Sequence, residues 1–498
     1  MDNIVHKLIY SILEEIVCHG DNYSTKLSLI LYSYFQMFYN IGSLFNKNTP
    51  ITADRVIIPT WYNDLFYQLQ NVKDKQDILQ NMLFYGHNGF LSSIYPDFNK
   101  NKYKITDFGI KDIKLTSIIV QRINLWGSNH YTGKQSELDK LTDSKYYTGF
   151  LADVTGNTDF IPENTNKWIN LIVPNGSYTE NGLPVIDINA DSTFKLQSFN
   201  CKDFWLNRGF SINPSNEPII DLSPKIIKSW DTGLNTETDT LLKIYENLDD
   251  RKKMISELFS LDNPESISIP GFWVITAMML SQKNSQTIEN DIIMFFILGA
   301  GIYDASIAAW TIKSKYEQPR PISIIRLFLK EKNIASWNPS RSLQIEGKKW
   351  IPYQSLTTVS PSHPDGADIN TVFSVVSGSL LEWWFNSINL NNSFKLFYLP
   401  NPQLISPILN KQYKTFSLGE FCIEKGSSKI EPDITPAQTT VLKYASIKEL
   451  VDDISVSSLY GGISWPHTIQ NSNELGNWVY NKVKAKFETI FKIKTPYI

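Results

Sequence analysis

The chain has 498 residues, of which 42% are hydrophobic and 19% are charged, a composition typical of a folded globular protein rather than a disordered one. Its formal net charge of −3 gives no indication of binding to nucleic acid or to an anionic membrane surface. The three cysteines, Cys18, Cys201 and Cys422, are far apart and indicate neither a disulfide framework nor a metal site.

Residues 1–100 are predicted to be helical. Candidate helices cover 5–19, 26–44, 61–70 and 75–91, and in the second the apolar residues recur at helical spacing. Residues 101–235 differ, because clusters of proline, glycine and asparagine interrupt short apolar runs. For this part we predict long loops and a few short strands around a helix near 110–128.

Helices return after residue 236. The candidates are 238–248, 250–259, 271–284, 287–315, 322–330, 368–385, 446–458 and 468–491, the fourth of them kinked or split at its glycines. Residues 292–310 are almost wholly apolar and approach the length of a membrane span, but Gly299, Gly301 and Asp304 interrupt them. We therefore predict the buried central helix of a bundle. Asp304 should be hydrogen-bonded there, because an unpaired buried carboxylate costs several kcal/mol.

The chain shows no repeat of fixed period and no clear linker. We expect one mainly helical domain over 1–498, with N-terminal helices over 1–100, a loop-rich part over 101–235 and a C-terminal bundle over 236–498. The N-terminus lacks a basic stretch followed by an apolar run, so no signal peptide is predicted. The expectation is a soluble protein without a membrane span, intracellular or part of an assembly.

Two basic residues stand out at the end of the apolar segment. Lys313 and Arg320 are seven residues apart, just before Pro321. Seven residues of α-helix turn through about 700°, so both side chains could lie on one helix face. A lysine and an arginine that converge in this way can hold an oxyanion, the arginine through a planar fork of donors. The alternative is an ordinary basic pair near a helix end that bonds to carboxylates.

The Lys-x6-Arg-Pro pattern resembles the first signature of the vanadium-dependent haloperoxidases and of the acid phosphatases of the type 2 phosphatidic-acid phosphatase superfamily. Residues 298–326 extend this resemblance, and residues 361–367 and 457–465 resemble the second and third signatures in the expected order. The specific resemblance covers roughly residues 290–470. It implies an all-α fold, with two packed helix bundles around one anion pocket.

The second and third signatures are altered in this chain. In the family, a serine, a glycine amide and a histidine of the second signature serve the oxyanion and acid–base chemistry; the matching residues here are Asp365, Gly366 and Ala367. An arginine and the vanadium-binding or nucleophilic histidine of the third signature correspond to Ser458 and Ser464. The resemblance thus leaves Lys313, Arg320 and Gly366 as an oxyanion-binding remnant, with no catalytic residue expected.

These changes oppose binding of an oxyanion. Asp365 adds a negative charge, and Ser458 stands where the family has a positively charged arginine. Together they make the charge of the pocket more negative by about two units. At an effective dielectric constant near 20, a like charge at about 4 Å costs on the order of 4 kcal/mol, roughly a thousandfold in affinity. Alanine and serine also replace the acid–base group and the nucleophile.

Two other histidines are possible substitutes. His363 falls at the family's aromatic position and is otherwise expected to pack at the pocket wall. His467 lies three residues after Ser464 and could share a helix face with it. The Ser-Trp-Pro sequence of 464–466 equally indicates a helix start, with His467 in its first turn. Asp365 and Asp368 do not match a calcium loop; no metal site is expected, and one of them should cap helix 368–385.

These patterns favour a catalytically inactive haloperoxidase-like protein, reused as a structural or interaction module. Its partners would be unidentified proteins or further copies of itself, and no cofactor is expected. The alternative is an active haloperoxidase or acid phosphatase-type enzyme with a rearranged oxyanion site, in which vanadate would be the cofactor of the haloperoxidase. The geometry of Asp365 distinguishes them: a carboxylate bonded to Arg320 or Lys313 fills the site itself, whereas an open site with a histidine pointing in would favour catalysis.

Overall fold

Helices dominate the computed structural model, which describes residues 3–45, 74–123, 208–222, 236–259, 266–337 and 344–491, with short gaps inside the first, second and last ranges. The α-helices are α1 (Ile4–Cys18), α2 (Ser24–Ser43), α3 (Lys75–Ile94), α4 (Thr236–Glu246), α5 (Asp250–Phe259), α6 (Ile269–Lys283), α7 (Ile288–Tyr316), α8 (Pro321–Phe328), α9 (Ile369–Phe385), α10 (Ile447–Tyr460) and α11 (Pro466–Phe491).

Three two-stranded antiparallel sheets accompany these helices in the described residues. The strand pairs are β1 (Asn333–Ala335) with β2 (Gln344–Glu346), β3 (Phe397–Tyr398) with β4 (Thr415–Phe416), and β5 (Glu420–Ile423) with β6 (Thr440–Lys443). Each sheet joins segments between helices rather than forming a layer, so the all-α class predicted from the sequence is confirmed.

The predicted helices over 1–100 and after residue 236 agree with the structure to within three residues at each end wherever it describes them. In the predicted helix near 110–128, residues 110–113 are not helical, whereas residues 119–121 are. The predicted helix 61–70 lies outside the described residues, as does most of 110–128. Within the described part of 101–235 there is no strand, and the one named element is the short 3₁₀ helix Ile105–Phe108.

The long apolar helix α7 lies at the centre and packs against α2, α9 and α11. It is one continuous helix, so the predicted kink or split at its glycines is wrong. A Cβ atom on Gly299 would come within 2.8 Å of the Phe35 ring on α2, and one on Gly301 within 2.4 Å of Leu380 on α9. The two glycines therefore allow neighbouring helices to approach closely on two sides. They serve helix packing here and do not bend the helix.

By length and composition, the segment Ile288–Phe328 could also cross a membrane. Its most apolar window is 94% buried inside the protein, however. The apolar surface of α7 is thus covered by the core of the bundle, as expected from the polar Asp304 in its middle.

Asp304 is fully buried and hydrogen-bonded, as predicted. Its carboxylate accepts hydrogen bonds from the backbone N–H groups of Phe210 and Ser211, at 2.6 and 2.7 Å, and from the Ser211 hydroxyl at 2.5 Å. Burial raises the pKa of Asp304 from 3.8 to about 6, even though these donors act in the opposite direction. The carboxylate therefore ties the segment 208–222 to the central helix.

Replacing Asp304 with leucine should lower the free energy of unfolding by about 2–5 kcal/mol, because two backbone N–H groups and a hydroxyl would lose their acceptor. Gly209 lies close to this carboxylate, since a Cβ atom on Gly209 would come within 2.1 Å of Asp304 Oδ1. Urea unfolding of Asp304→Leu and of the near-isosteric Asp304→Asn would measure this. A leucine variant as stable as the unmodified protein would contradict the assigned role.

Candidate functional site

Lys313 and Arg320 lie on two different elements. Lys313 is in the last turn of α7, which ends at Tyr316, and Arg320 is the N-cap of α8. The prediction that both side chains project from one helix face is therefore wrong. The reason is local: Arg320 precedes Pro321 and is extended, with φ −80° and ψ 155°, because a following proline disfavours the helical conformation.

The two cations nevertheless meet at one backbone carbonyl. Lys313 Nζ donates to the Pro364 carbonyl at 2.7 Å, and Arg320 Nη2 donates to the same oxygen at 3.2 Å. Arg320 also donates through Nε to the His363 carbonyl at 3.1 Å and through Nη1 to the Ile463 carbonyl at 2.6 Å. With 1% and 3% of their surfaces exposed, both residues are buried, and the protein's own acceptors use these donors.

Asp365 lies in the same site and is fully buried. Its Oδ1 atom is 3.6 Å from Arg320 Nη1 and accepts a hydrogen bond from the Ser464 hydroxyl at 3.1 Å. Its Oδ2 atom accepts from the Trp465 N–H at 3.2 Å and from the Thr468 hydroxyl at 2.9 Å. The carboxylate thus has three hydrogen-bond donors and one cation around it, which is an environment suited to an anion.

The N-terminus of α11 contributes to this environment. The helix begins at Pro466, so the residue directly before it is Trp465 and not Ser464, and His467 lies in its first turn as predicted. A helix N-terminus carries a partial positive charge and presents N–H groups without helical partners. Asp365 accepts one of these N–H groups, in the way that a bound anion would.

His363 packs at the wall of the site. Its ring lies 5.1 Å from that of Trp310, measured between centroids, and its Nδ1 atom is 3.1 Å from both Arg320 Nη2 and the Pro364 carbonyl. One nitrogen can satisfy only one of these groups at a time. Burial, followed by the charges of Lys313 and Arg320, holds the pKa of His363 well below its usual range. The ring is therefore neutral at pH 7.

His467 contacts Glu237 and Gln318 at the start of α11. Its backbone N–H donates to Glu237 Oε2 at 2.9 Å, its Nδ1 atom lies 3.0 Å from the same oxygen, and its Nε2 atom lies 2.7 Å from Gln318 Nε2. Both ring nitrogens of His467 are thus occupied by neighbouring side chains.

The other positions of the altered signatures are buried. Ala367 is fully buried in the hydrophobic core, and Ser458, on α10, is 4% exposed. Gly366 has a φ of +103°, a conformation that L-residues rarely adopt, so a glycine is needed here for the backbone alone. Asp368 caps α9 by accepting the Thr371 N–H at 2.8 Å, which confirms the predicted cap.

Two residues that the sequence did not single out complete the site. Gln318 accepts the Asp365 N–H at its carbonyl, at 2.9 Å, and contacts His467 with its side chain. Glu237, in the first turn of α4, is 230 residues from its partner His467. Among the described residues, no group of three or more histidine, cysteine, aspartate or glutamate side chains could hold a metal ion.

Residues 293–492 match the family model of the VCPO second helical-bundle domain. The fold is similar to the crystal structure of an apo-type bacterial vanadium-dependent chloroperoxidase, with a TM-score of 0.62 at 14% identity over 94% of this chain and 95% of that chain. For the crystal structure of a holo-type bacterial vanadium-dependent chloroperoxidase the TM-score is 0.64 at 14% identity, over 95% of this chain and 94% of that chain. No curated protein sequence matches the chain.

The sequence match covers residues 293–492, and in this part of the chain it supports the resemblance to the vanadium-dependent haloperoxidase family. The structural likeness shows the same fold over nearly the whole chain. At 14% identity it gives no information about activity. The resemblance read from the three signatures is thereby confirmed, because the matched region contains all three.

Proposed function

We propose that this protein is a catalytically inactive member of the haloperoxidase fold, which serves as a structural or interaction module. The observation that supports this most directly is the Asp365 carboxylate in the oxyanion site, 3.6 Å from Arg320 and bonded to Ser464, Trp465 and Thr468. A carboxylate that is part of the chain competes with any external oxyanion for these donors, and it does so without the entropy cost of binding.

The residues of the site do not fit vanadate. Arg320 donates to three backbone carbonyls, and a vanadate ion would have to displace them and lie beside a second anion, Asp365. That repulsion alone costs on the order of 4 kcal/mol at about 4 Å and an effective dielectric constant near 20. Ala367 offers no exchangeable proton, and the Ser464 hydroxyl is already bonded to Asp365.

One observation favours the alternative, a haloperoxidase or acid phosphatase-type enzyme with a rearranged oxyanion site. The His363 ring lies beside Arg320, and its lowered pKa leaves it neutral, the form that ligates or attacks. Its Nδ1 atom, however, faces a donor and a carbonyl of the protein itself. We therefore keep this enzyme as the second candidate.

Calorimetric titration of the unmodified protein with orthovanadate tests the proposal, together with dye bromination in the presence of vanadate, peroxide and bromide and with hydrolysis of a phosphate monoester. We expect no saturable heat and no turnover, while a bacterial vanadium-dependent chloroperoxidase serves as the positive control for vanadate binding. Tight binding with turnover that is abolished in His363→Ala would overturn the proposal and establish the second candidate. As a module, the protein would bind another protein or a second copy of itself, which a pull-down or sedimentation experiment would detect.

A further inference from the structure

The N-terminus of α11 is closed by two carboxylates that come from different parts of the chain. Asp365, ahead of α9, accepts the Trp465 N–H at 3.2 Å, and Glu237, on α4, accepts the His467 N–H at 2.9 Å. Pro466, between these two donors, has no N–H. The donors that the helix start offers at 465 and 467 are therefore both used by side chains of the protein.

Each carboxylate also binds a side chain of the first turn. Asp365 accepts the Thr468 hydroxyl at 2.9 Å, and Glu237 lies 3.0 Å from His467 Nδ1. Burial raises the pKa of Glu237, but hydrogen bonds from the His467 side chain and backbone outweigh it, and the resulting pKa is lower than usual. Glu237 is therefore ionised at neutral pH, and a negative charge at a helix N-terminus is stabilising.

The same contacts connect the segments that surround the site. The Asp365 N–H donates to the Gln318 carbonyl at 2.9 Å, and the Gln318 side chain reaches His467. Arg320 donates to the carbonyls of both His363 and Ile463, which belong to segments 100 residues apart in the chain. Hydrogen bonds within the protein thus link four segments: 318–320, 363–368, the start of α11 and α4.

We propose that Asp365 and Glu237 are built-in anions, which hold the start of α11, the segment 318–320 and α4 together without any bound oxyanion. The inference rests on the proposed function, since it applies to a site closed to external anions. A ligand that binds only the folded state stabilises it according to its concentration relative to its dissociation constant. The unmodified protein should consequently gain no stability through binding of an anion that its site cannot admit.

Thermal unfolding of the full-length protein with inorganic phosphate, against sodium chloride at equal ionic strength, tests the proposal. Phosphate is excluded from protein surfaces and raises the Tm of proteins in general, so the Tm of the unmodified protein should rise in phosphate by no more than this general effect. In Asp365→Ala the Tm should fall by several degrees in chloride and be partly restored by phosphate, because Arg320, Ser464, Thr468 and the Trp465 N–H would face an empty position. A variant as stable as the unmodified protein, or equal stabilisation of both by phosphate, would overturn it.

Asp365→Asn and Glu237→Gln keep the side-chain size, remove the charge and replace one acceptor oxygen with an NH2 donor, and they serve if the alanine variant does not fold. Both should lower the Tm; unchanged values would refute the proposal. Asp452→Asn is the matched control, because Asp452 pairs with Lys448 at the surface of α10, where its side chain is 54% exposed. These outcomes are independent of the vanadate titration, so a protein that binds vanadate would refute the proposed function even where the stability changes are found.

Discussion

Vanadate binding should return when the four altered positions are restored together, as Asp365→Ser, Ala367→His, Ser458→Arg and Ser464→His. The first change removes the carboxylate that now lies 3.6 Å from Arg320 Nη1 and accepts the Trp465 N–H. Together, Asp365→Ser and Ser458→Arg make the charge of the site more positive by about two units. We expect an affinity for vanadate at least roughly a thousandfold above that of the unmodified protein, since one like charge at close range already accounts for about 4 kcal/mol. Calorimetric titration measures the affinity, and bromination reports on activity.

The triple variant that keeps Asp365 is the matched control. It contains both histidines and the arginine, and it should still bind vanadate weakly, because the carboxylate remains bonded in the site. Single changes should recover little, since residues that act as a unit are not additive. Ser458 and Ala367 are buried, so circular dichroism must first show that the variants fold. A folded fourfold variant without vanadate affinity would show that the scaffold has diverged beyond these four positions.

The central helix was predictable because its sequence has few alternatives. A run of apolar residues around 292–310 can be buried in a bundle or in a membrane, and the polar Asp304 in its middle favoured the bundle. Its glycines predicted a kink or a split in the helix. In the structure they match Phe35 and Leu380 on neighbouring helices, and which helices are neighbours is not encoded locally.

The site was predictable in part. The three signatures indicated that Lys313, Arg320, Asp365 and Ser464 converge, and the structure brings them together. The position of Arg320 off the helix could have been inferred from Pro321, since a residue before proline avoids the helical conformation.

The contact between Glu237 and His467 had no local signal. These residues lie 230 positions apart, and many other acidic residues in the chain could have filled the same role. Only the packing of α4 near the start of α11 selects Glu237. The role of Gln318 was equally unpredictable from the sequence. It directly precedes Pro319 and Arg320 of the first signature, but the signature assigns no role to residue 318.

Replacement of Arg320 by methionine should lower the free energy of unfolding by about 3–5 kcal/mol, the usual cost of removing one partner of a buried charge pair. Methionine fills similar space but leaves Asp365 without its cation, and the His363 and Ile463 carbonyls without a donor. Urea unfolding at neutral pH measures the loss. Arg320→Lys keeps the charge without the planar fork, so its free energy of unfolding should lie between those of the unmodified protein and Arg320→Met.

A double-mutant cycle separates the charge pair from the carbonyl contacts of Arg320. If Asp365 is a built-in counter-ion, Arg320→Met should cost less in an Asp365→Asn background than in the unmodified protein, with a coupling of about 0.5–3 kcal/mol. The carbonyls of His363 and Ile463 lose their donor in both backgrounds, so their contribution cancels. Additive effects of the two changes would mean that Asp365 is held by Ser464, Trp465 and Thr468 alone, and that the 3.6 Å approach of Arg320 contributes nothing to stability.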